Sequence, residues 1–236
     1  MQAAILTGKK VLLTNSGNGL GFVIAIAFAQ AGAQVIIHDR SAAVAAAAAE
    51  RLSLAVPGTQ AQALGADASS AQGRQAITAQ AGPVDILVID ALAAEAVDFS
   101  QLVDHDAEQD RSVLGEQAQQ LLQDFLPAAS AEGPAQVFLL TLAAAAAGEL
   151  EVAPVLGQPS AISGRNGSLL YTAALDELRL APVADLMRSE VLRTNSSLTD
   201  VADQLLRDHR PAGIQRGLAT IRALTGDIVK ACVEHA

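Results

Sequence analysis

Residues 11–21 read VLLTNSGNGLG, and this stretch decides the fold. The consecutive apolar residues 11–13 favour a strand buried on both faces, and the apolar run 22–28 favours a packed helix. The glycines between them, Gly19 and Gly21 included, favour a tight turn, because glycine tolerates positive φ and close approach of another backbone. The stretch therefore predicts a strand, turn and helix in the order of a dinucleotide site, with a pyrophosphate at the helix N-terminus.

The next apolar run ends in an acidic residue. Residues 33–39 read AQVIIHD and predict a second parallel strand with Asp39 at its carboxyl end. A carboxylate at that position accepts both ribose hydroxyls and repels a 2′-phosphate, so it favours NAD over NADP. Gly19, Gly21 and Asp39 are therefore predicted to bind the cofactor.

Composition narrows the class of protein. The 236 residues carry a net charge of −10, with 51% hydrophobic and 17% charged residues. This composition is typical of one globular domain, and the negative charge argues against a nucleic-acid or anionic-membrane partner. No apolar segment reaches membrane-spanning length and the N-terminus lacks a signal-peptide pattern, so a cytoplasmic location is expected. No metal site is predicted.

The rest of the chain alternates between strand and helix patterns. Helices are predicted over residues 42–54, 104–126 and 214–223, and strands over residues 61–64, 84–88, 135–141, 166–173 and 224–229. Residues 182–192 and 198–206 are amphipathic. Strands that alternate with helices indicate an α/β protein with a parallel sheet.

The opening motif resembles that of the short-chain dehydrogenase/reductase family, TGxxxGxG. Thr14, Gly19 and Gly21 match it, while Asn15 replaces its first glycine. Asn is the least costly substitute if that position needs positive φ. The resemblance implies a Rossmann-type doubly wound parallel sheet with helices on both faces.

The resemblance extends to further positions. It implies a single domain over residues 1–236, in which residues 174–210 form an insertion like the family's substrate-covering lobe. It also implies that Asp67, after the third strand, contacts the adenine of the cofactor. A role for Asp67 as the N-cap of the helix that begins near Ser69 is an equally good interpretation.

The family's catalytic positions are not matched. Where the family reads NNAG this chain reads IDAL over residues 89–92, and the resemblance implies that Leu92 would fill the room that the family's glycine leaves beside the nicotinamide. Asp90 is either a new acid or, more simply, a structural hydrogen-bond acceptor. At the end of the fifth strand Thr141 and Leu142 replace the family's serine pair.

The family's YxxxK motif is also missing. Its tyrosine transfers a proton, and its lysine lies one helical turn later and lowers the tyrosine pKa. The one tyrosine here, Tyr171, is followed four residues later by Leu175, and no lysine lies between Lys10 and Lys230. Its spacing to the TGD at Thr225, which resembles the family's terminal motif, assigns Tyr171 to the sixth strand.

Three functions are consistent with this pattern. The first is a non-catalytic subunit that itself binds NAD weakly or has lost NAD binding, beside an active paralogue in a dimeric or tetrameric NAD-dependent complex. A hydroxyacyl-CoA dehydrogenase such as that of anaerobic toluene and benzylsuccinate degradation is one such complex. The second is an active NAD-dependent oxidoreductase or halohydrin-dehalogenase-like enzyme with displaced residues Thr141, Asp90 and Tyr171. The third is an NAD-binding sensor.

Overall fold

The computed structural model describes residues 4–59, 61–90, 122–125, 135–142, 156, 159–161, 168–175, 177–208 and 210–234. The described strands are β1 (Lys10–Leu13), β2 (Gln34–Asp39), β3 (Gln62–Gly65), β4 (Ile86–Asp90), β5 (Gln136–Leu142), β6 (Ser160–Ala161) and β7 (Leu169–Leu175). The described helices are α1 (Gly19–Gln30), α2 (Ala42–Ala55), α3 (Ala71–Ala81), α4 (Glu177–Thr194), α5 (Leu198–Arg207) and α6 (Ala212–Glu234). Residues 122–125 are also helical.

One sheet contains all seven described strands, in the order β3-β2-β1-β4-β5-β7-β6. All neighbouring pairs are parallel except β6 and β7. The chain winds outward from β1 in both directions, so β1 and β4 are neighbours at a switch in strand order. In sheets of this kind a crevice opens at that switch, beyond the carboxyl ends of the strands.

Both faces of the sheet are covered, which confirms the predicted doubly wound α/β fold. Alternate strand residues point to opposite faces, so Leu12 and Leu13 belong to different hydrophobic clusters. The Leu13 face packs against α1 and α4–α6, and the Leu12 face packs against α3 and Phe125. The fully apolar run of residues 11–13 is therefore explained by burial on both faces.

The predicted strand over residues 224–229 is wrong, because this segment lies inside α6. Buried residues of α6 recur at helical spacing, and Thr225 Oγ1 donates to the carbonyl of Ile221, one turn earlier, at 2.9 Å. Six residues of strand-like pattern were outweighed by a helical pattern that extends over 23 residues. The resemblance of residues 224–229 to the family's terminal motif is therefore one of sequence and does not extend to their structure.

The C-terminal helices form a layer over α1. Helix α4 buries one stripe at helical spacing, Leu180, Val183, Ala184, Met187 and Val191, in the cluster that also contains α1. The substrate-covering role of residues 174–210 stays a prediction. No helix among the described residues is long and apolar enough to cross a membrane.

Several predicted features lie outside the described residues. The predicted helix 104–126 is described only over residues 122–125, where it is helical. Leu92 is not among the described residues, and neither is the side chain of Thr141 or Leu142.

Candidate nucleotide-binding site

The glycine-rich turn joins β1 to α1 at the carboxyl edge of the sheet. Asn15 and Gly19 both have positive φ, 49° and 55°. A Cβ added to Gly19 would meet nothing within 4 Å, so this position faces open space before the helix. A Cβ on Gly21 would come within 2.9 Å of the Cα of Ser16. Gly19 is thus needed for its φ and Gly21 for close approach, and position 15 does have the positive φ for which Asn is the least costly substitute.

Asp39 ends β2, as predicted, and its carboxylate lies against the same turn. Its Oδ1 accepts a hydrogen bond from the Ser41 backbone N–H at 2.9 Å. Its Oδ2 would be 2.5 Å from a Cβ added to Gly17, so only glycine leaves the carboxylate this place. A carboxylate beside the turn fits the hydroxyls of an adenosine ribose. Its part in binding NAD stays a prediction.

Asp67 lies in the loop between β3 and α3. Its Oδ1 accepts hydrogen bonds from the backbone N–H and the hydroxyl of Ser69, at 3.0 and 2.7 Å. These bonds, helped by Arg40 at 3.3 Å, lower the pKa of the exposed Asp67 carboxyl. The N-cap of α3 is Ser70, which accepts from the Gly73 N–H. The predicted N-cap role of Asp67 is therefore wrong, whereas the adenine contact stays a prediction.

Two arginines support the turn from outside. Arg51 of α2 donates to the carbonyl of Gly17 at 2.9 Å, and its guanidinium lies 5.1 Å from the centre of the Phe22 ring. Arg188 of α4 donates to Oδ1 of Asn18 at 3.2 Å. Burial, and then the nearby charge of Arg188, lower the pKa of the Arg51 guanidinium. The turn is thus attached to both α2 and α4.

Buried His38 contacts the turn from within the sheet. Its Nδ1 accepts a hydrogen bond from the Asn15 backbone N–H at 3.2 Å, and its Nε2 lies 2.9 Å from the carbonyl oxygen of Ala66. Sequence reasoning assigned no role to His38 or Arg51. A signal existed for each, since His38 interrupts an apolar strand and Arg51 is the one basic residue among the alanines of α2.

The weak catalytic candidates are only partly brought together. Asp90 pairs with Leu140 in register, so Thr141 follows directly beside it at the carboxyl edge. The backbone N–H of Asp90 donates to Thr14 Oγ1 at 2.9 Å, and its carbonyl accepts from Asn15 Nδ2 at 3.0 Å. Tyr171 pairs with Phe138, three register positions before Thr141. At about 3.3 Å per residue, Tyr171 begins about 10 Å away from that edge.

Tyr171 is part of the core. Its side chain is 3% exposed and its ring stacks on Phe138 with centroids 4.9 Å apart. Burial raises the pKa of its hydroxyl, with smaller contributions from Cys232 and Glu234. A tyrosine that accepts a proton near neutral pH needs the opposite shift.

Comparison with known proteins places the N-terminal half in one family. The family model of the short chain dehydrogenases matches residues 9–128. The chain is 40% identical over 84 residues to short chain dehydrogenase/reductase AacuD of Aspergillus aculeatus, a match that covers 35% of this chain and 30% of that protein. It is 38% identical over 87 residues to the uncharacterized oxidoreductase MT0954 of Mycobacterium tuberculosis, covering 35% and 32%. The matches thus span about a third of each relative.

Solved structures are similar over part of their length. A 7α-hydroxysteroid dehydrogenase complexed with NADH and 7-oxo glycochenodeoxycholic acid is 29% identical, with a TM-score of 0.47 over 60% of this chain and 56% of that chain. A hydroxysteroid dehydrogenase from Escherichia coli is 27% identical, with a TM-score of 0.46 over 58% and 57%. Because the family model spans more than half of its residues, the chain belongs to the short chain dehydrogenase family of oxidoreductases.

Proposed function

We propose that this chain is a non-catalytic subunit of a heteromeric NAD-dependent short-chain dehydrogenase complex, which contacts NAD through its glycine turn and relies on an active paralogue for chemistry. The observation that carries the proposal is the position of its one tyrosine. Tyr171 is a buried residue of β7, and the residue four positions later, Leu175, ends the same strand. Residues four apart lie side by side on a helix, whereas in a strand they are about 13 Å apart.

No other residue supplies the lost pair. Lysine occurs only at Lys9, Lys10 and Lys230. Lys10 starts β1 at the opposite edge of the sheet from the turn, where its Nζ donates to the carbonyl of Ala81 at 2.6 Å. Lys230 lies near the end of α6, paired with Glu234 at 3.6 Å. Lys9 directly precedes β1 at the same edge as Lys10, with its Nζ 3.9 Å from Asp85. None of the three lysines lies one helical turn after a tyrosine, as the family's lysine does.

The adenosine half of the site supports the proposal that NAD is still contacted. Gly19 leaves open space before α1, and the first N–H groups of a helix have no partner within it. The Asp39 carboxylate lies beside the turn at the end of β2, where ribose hydroxyls would reach it. Bound NAD would supply hydride chemistry, whereas the residues on this chain bind and orient its adenosine end.

Two other functions remain to be separated from this one. Asp90 and Thr141 lie beside each other at the carboxyl edge, which favours the enzyme with displaced residues, although Tyr171 lies three register positions deeper. Retention of the turn and of Asp39 also favours the NAD-binding sensor. These functions differ in whether the isolated chain turns over substrate and whether it needs a partner.

The test measures NAD binding by calorimetry and subunit content by native mass spectrometry, for the chain alone and after co-expression with active short-chain dehydrogenases of the same organism. We expect a complex of fixed ratio and no hydride transfer by the isolated chain. Turnover by the isolated chain that is lost in Tyr171→Phe would establish the displaced enzyme instead. Tight NAD binding by a homo-oligomer without turnover would establish the sensor.

A matched pair of variants tests whether NAD uses the predicted turn. Gly19 and Gly58 both have positive φ, 55° and 89°, and a Cβ on either meets nothing within 4 Å. Alanine costs about 1–2 kcal/mol of backbone strain at each position. Gly58, however, follows α2 at the far edge of the sheet. Only Gly19→Ala should weaken NAD binding, and equal weakening by both variants would show that the turn is not the site.

A further inference from the structure

His38 joins two segments that border the nucleotide site. It is fully buried at the next-to-last position of β2. On one side its Nδ1 lies 3.2 Å from the Asn15 backbone nitrogen, and on the other its Nε2 lies 2.9 Å from the Ala66 carbonyl oxygen. A carbonyl only accepts hydrogen bonds and a backbone N–H only donates them. The ring therefore carries its proton on Nε2, accepts at Nδ1 and is neutral.

The hydrogen bond to Nδ1 holds Asn15, the turn residue that replaces the first glycine of the family's motif. Asn15 has φ of 49°, in the left-handed region, which costs a non-glycine residue about 1–2 kcal/mol. Its side chain donates to the Asp90 carbonyl at 3.0 Å, so the backbone bond to His38 and this bond fix it from two sides. The next residue, Ser16, donates its N–H to the His38 carbonyl at 2.8 Å. His38 thus holds two consecutive residues of the turn.

The hydrogen bond from Nε2 holds the loop that begins at Ala66, on the other side of the ring from the turn. Ala66 directly precedes Asp67, and its N–H donates to the Asp39 carbonyl at 3.2 Å. The imidazole therefore sets the distance between the glycine turn and the loop of Asp67. Both segments border the space where the adenosine half of the cofactor would lie.

We propose that His38 is a positioning residue for the dinucleotide: its neutral ring holds the Asn15 turn and the Ala66–Asp67 loop in the geometry that binds adenosine. The proposal rests on the proposed nucleotide binding and deepens it. Protonation would place an N–H on Nδ1, facing the N–H of Asn15. Two donors cannot share a hydrogen bond, so the turn would be released.

The charges around the ring define when this release occurs. Burial lowers the pKa of His38 from 6.5, against smaller raising contributions from the Ala66 carbonyl and the carboxylates of Asp39 and Asp67. The turn after β1 presents the uncharged Asn15 to the ring, and Arg74 of α3 is bound to Asp124. The ring is therefore neutral at pH 7 and becomes protonated on the acid side of 6.5.

Two substitutions separate the two hydrogen bonds. In His38→Asn the amide oxygen occupies the place of Nδ1 and still accepts from Asn15, but the side chain does not reach Ala66. In His38→Gln the amide nitrogen reaches Ala66, but nothing accepts from Asn15. Both variants lose one hydrogen bond and ring volume, so a purely structural role predicts similar effects on NAD binding.

The experiment titrates NAD⁺ into the wild-type chain and both variants across pH 5 to 8, and follows the Asn15 amide by NMR. At pH 8 we expect about tenfold weaker binding for His38→Gln and less than about threefold weakening for His38→Asn. Wild-type affinity should fall in acid, together with a chemical-shift change of the Asn15 amide and a loss of its protection against hydrogen exchange, relative to the intrinsic rate at each pH. The His38→Asn variant should lose that pH dependence.

The outcomes separate the two proposals. If the wild type binds NAD⁺ but its affinity and its Asn15 amide do not change as His38 titrates, the positioning role is overturned while nucleotide binding stands. Equal weakening by both variants at pH 8 also overturns it. If the wild type binds no NAD⁺ at any pH, nucleotide binding itself fails and the positioning role fails with it.

Discussion

Residues 10–90 and residues 177–234 fold by different rules. In the first region single positions are fixed by backbone geometry: positive φ at Asn15 and Gly19, and contact distances that only glycine permits at Gly17 and Gly21. In the second region helices α4–α6 are specified mainly by apolar residues at helical spacing. The first kind of rule tolerates few residues at each position, whereas the second tolerates many.

This difference explains where the family is recognised. The matching family model covers residues 9–128 and leaves out the C-terminal helices. The regions nevertheless meet at α1, where Arg188 bonds Asn18 at its start and Gln30, at its end, bonds the N-terminus of α5. The glycine turn, which accepts few residue types at each position, is therefore supported by helices α4–α6, which accept many. Four substitutions test this contrast.

The largest expected effect is at Gly73, in the region of strict positions. A Cβ there would lie 1.9 Å from the carbonyl oxygen of Asp67, a contact that requires the backbone to move. Gly73→Ala should lower the free energy of unfolding by about 3 kcal/mol, the upper end of overpacking effects. Gly213→Ala is the matched control, because a Cβ at Gly213 meets nothing within 4 Å. Urea denaturation of both variants makes the comparison, and a loss at Gly73 no larger than at Gly213 would contradict it.

A smaller loss is expected where α3 meets the helical residues 122–125. Arg74 is 8% exposed, and its Nε donates to Asp124 at 2.6 Å. Removing one partner of a buried ion pair leaves the other charge uncompensated. Because the Asp124 side chain is 29% exposed, water screens part of this effect, and Asp124→Asn should cost about 2 kcal/mol.

The control for this pair is Arg74→Met in both backgrounds. If the guanidinium is the charge left uncompensated, adding Asp124→Asn to Arg74→Met should cost much less than Asp124→Asn alone. Additive losses, measured by chemical denaturation of the single and double variants, would show that Asp124 acts through other contacts.

A smaller loss of stability again is expected at Gln30, which connects α1 to the N-terminus of α5. Gln30 accepts from the Leu198 N–H at 2.8 Å and donates to the Ser196 carbonyl at 3.3 Å. Gln30→Ala leaves the Leu198 N–H without this partner and should cost about 1 kcal/mol. Gln34→Ala, at an exposed position of β2, should change the unfolding free energy far less. Equal changes in the two variants would show that the Gln30 hydrogen bonds add nothing to the stability of the fold.

The same contrast shows what sequence predicts well. The end of β2 at Asp39 was predicted, and Asn15 was recognised as a residue that tolerates positive φ, because only a few residue types suit these local conformations. The strand predicted over residues 224–229 was wrong, since a short alternating pattern does not reveal whether a neighbouring strand is available. The contacts of His38 and Arg188 were not predictable either. They depend on segments that are distant in sequence, and no spacing rule connects β2 to Asn15 or α4 to Asn18.

The smallest expected effect is a gain of stability at Gly226, and it tests the corrected element directly. Gly226 is exposed in the interior of α6, and a Cβ there meets nothing within 4 Å. Alanine is about 0.8–1.0 kcal/mol better than glycine inside a helix, so Gly226→Ala should raise the unfolding free energy by about that amount. Alanine is also better than glycine in a strand, so a second glycine of the same helix is needed to test the helix itself. Gly217→Ala in the same helix is the counterpart, because its Cβ would lie 2.7 Å from Cγ2 of Val183 and press α6 away from α4. A gain at Gly226 with a loss at Gly217 would show that loosely specified helices still contain single strict positions, whereas a loss at both would place residue 226 outside a helix.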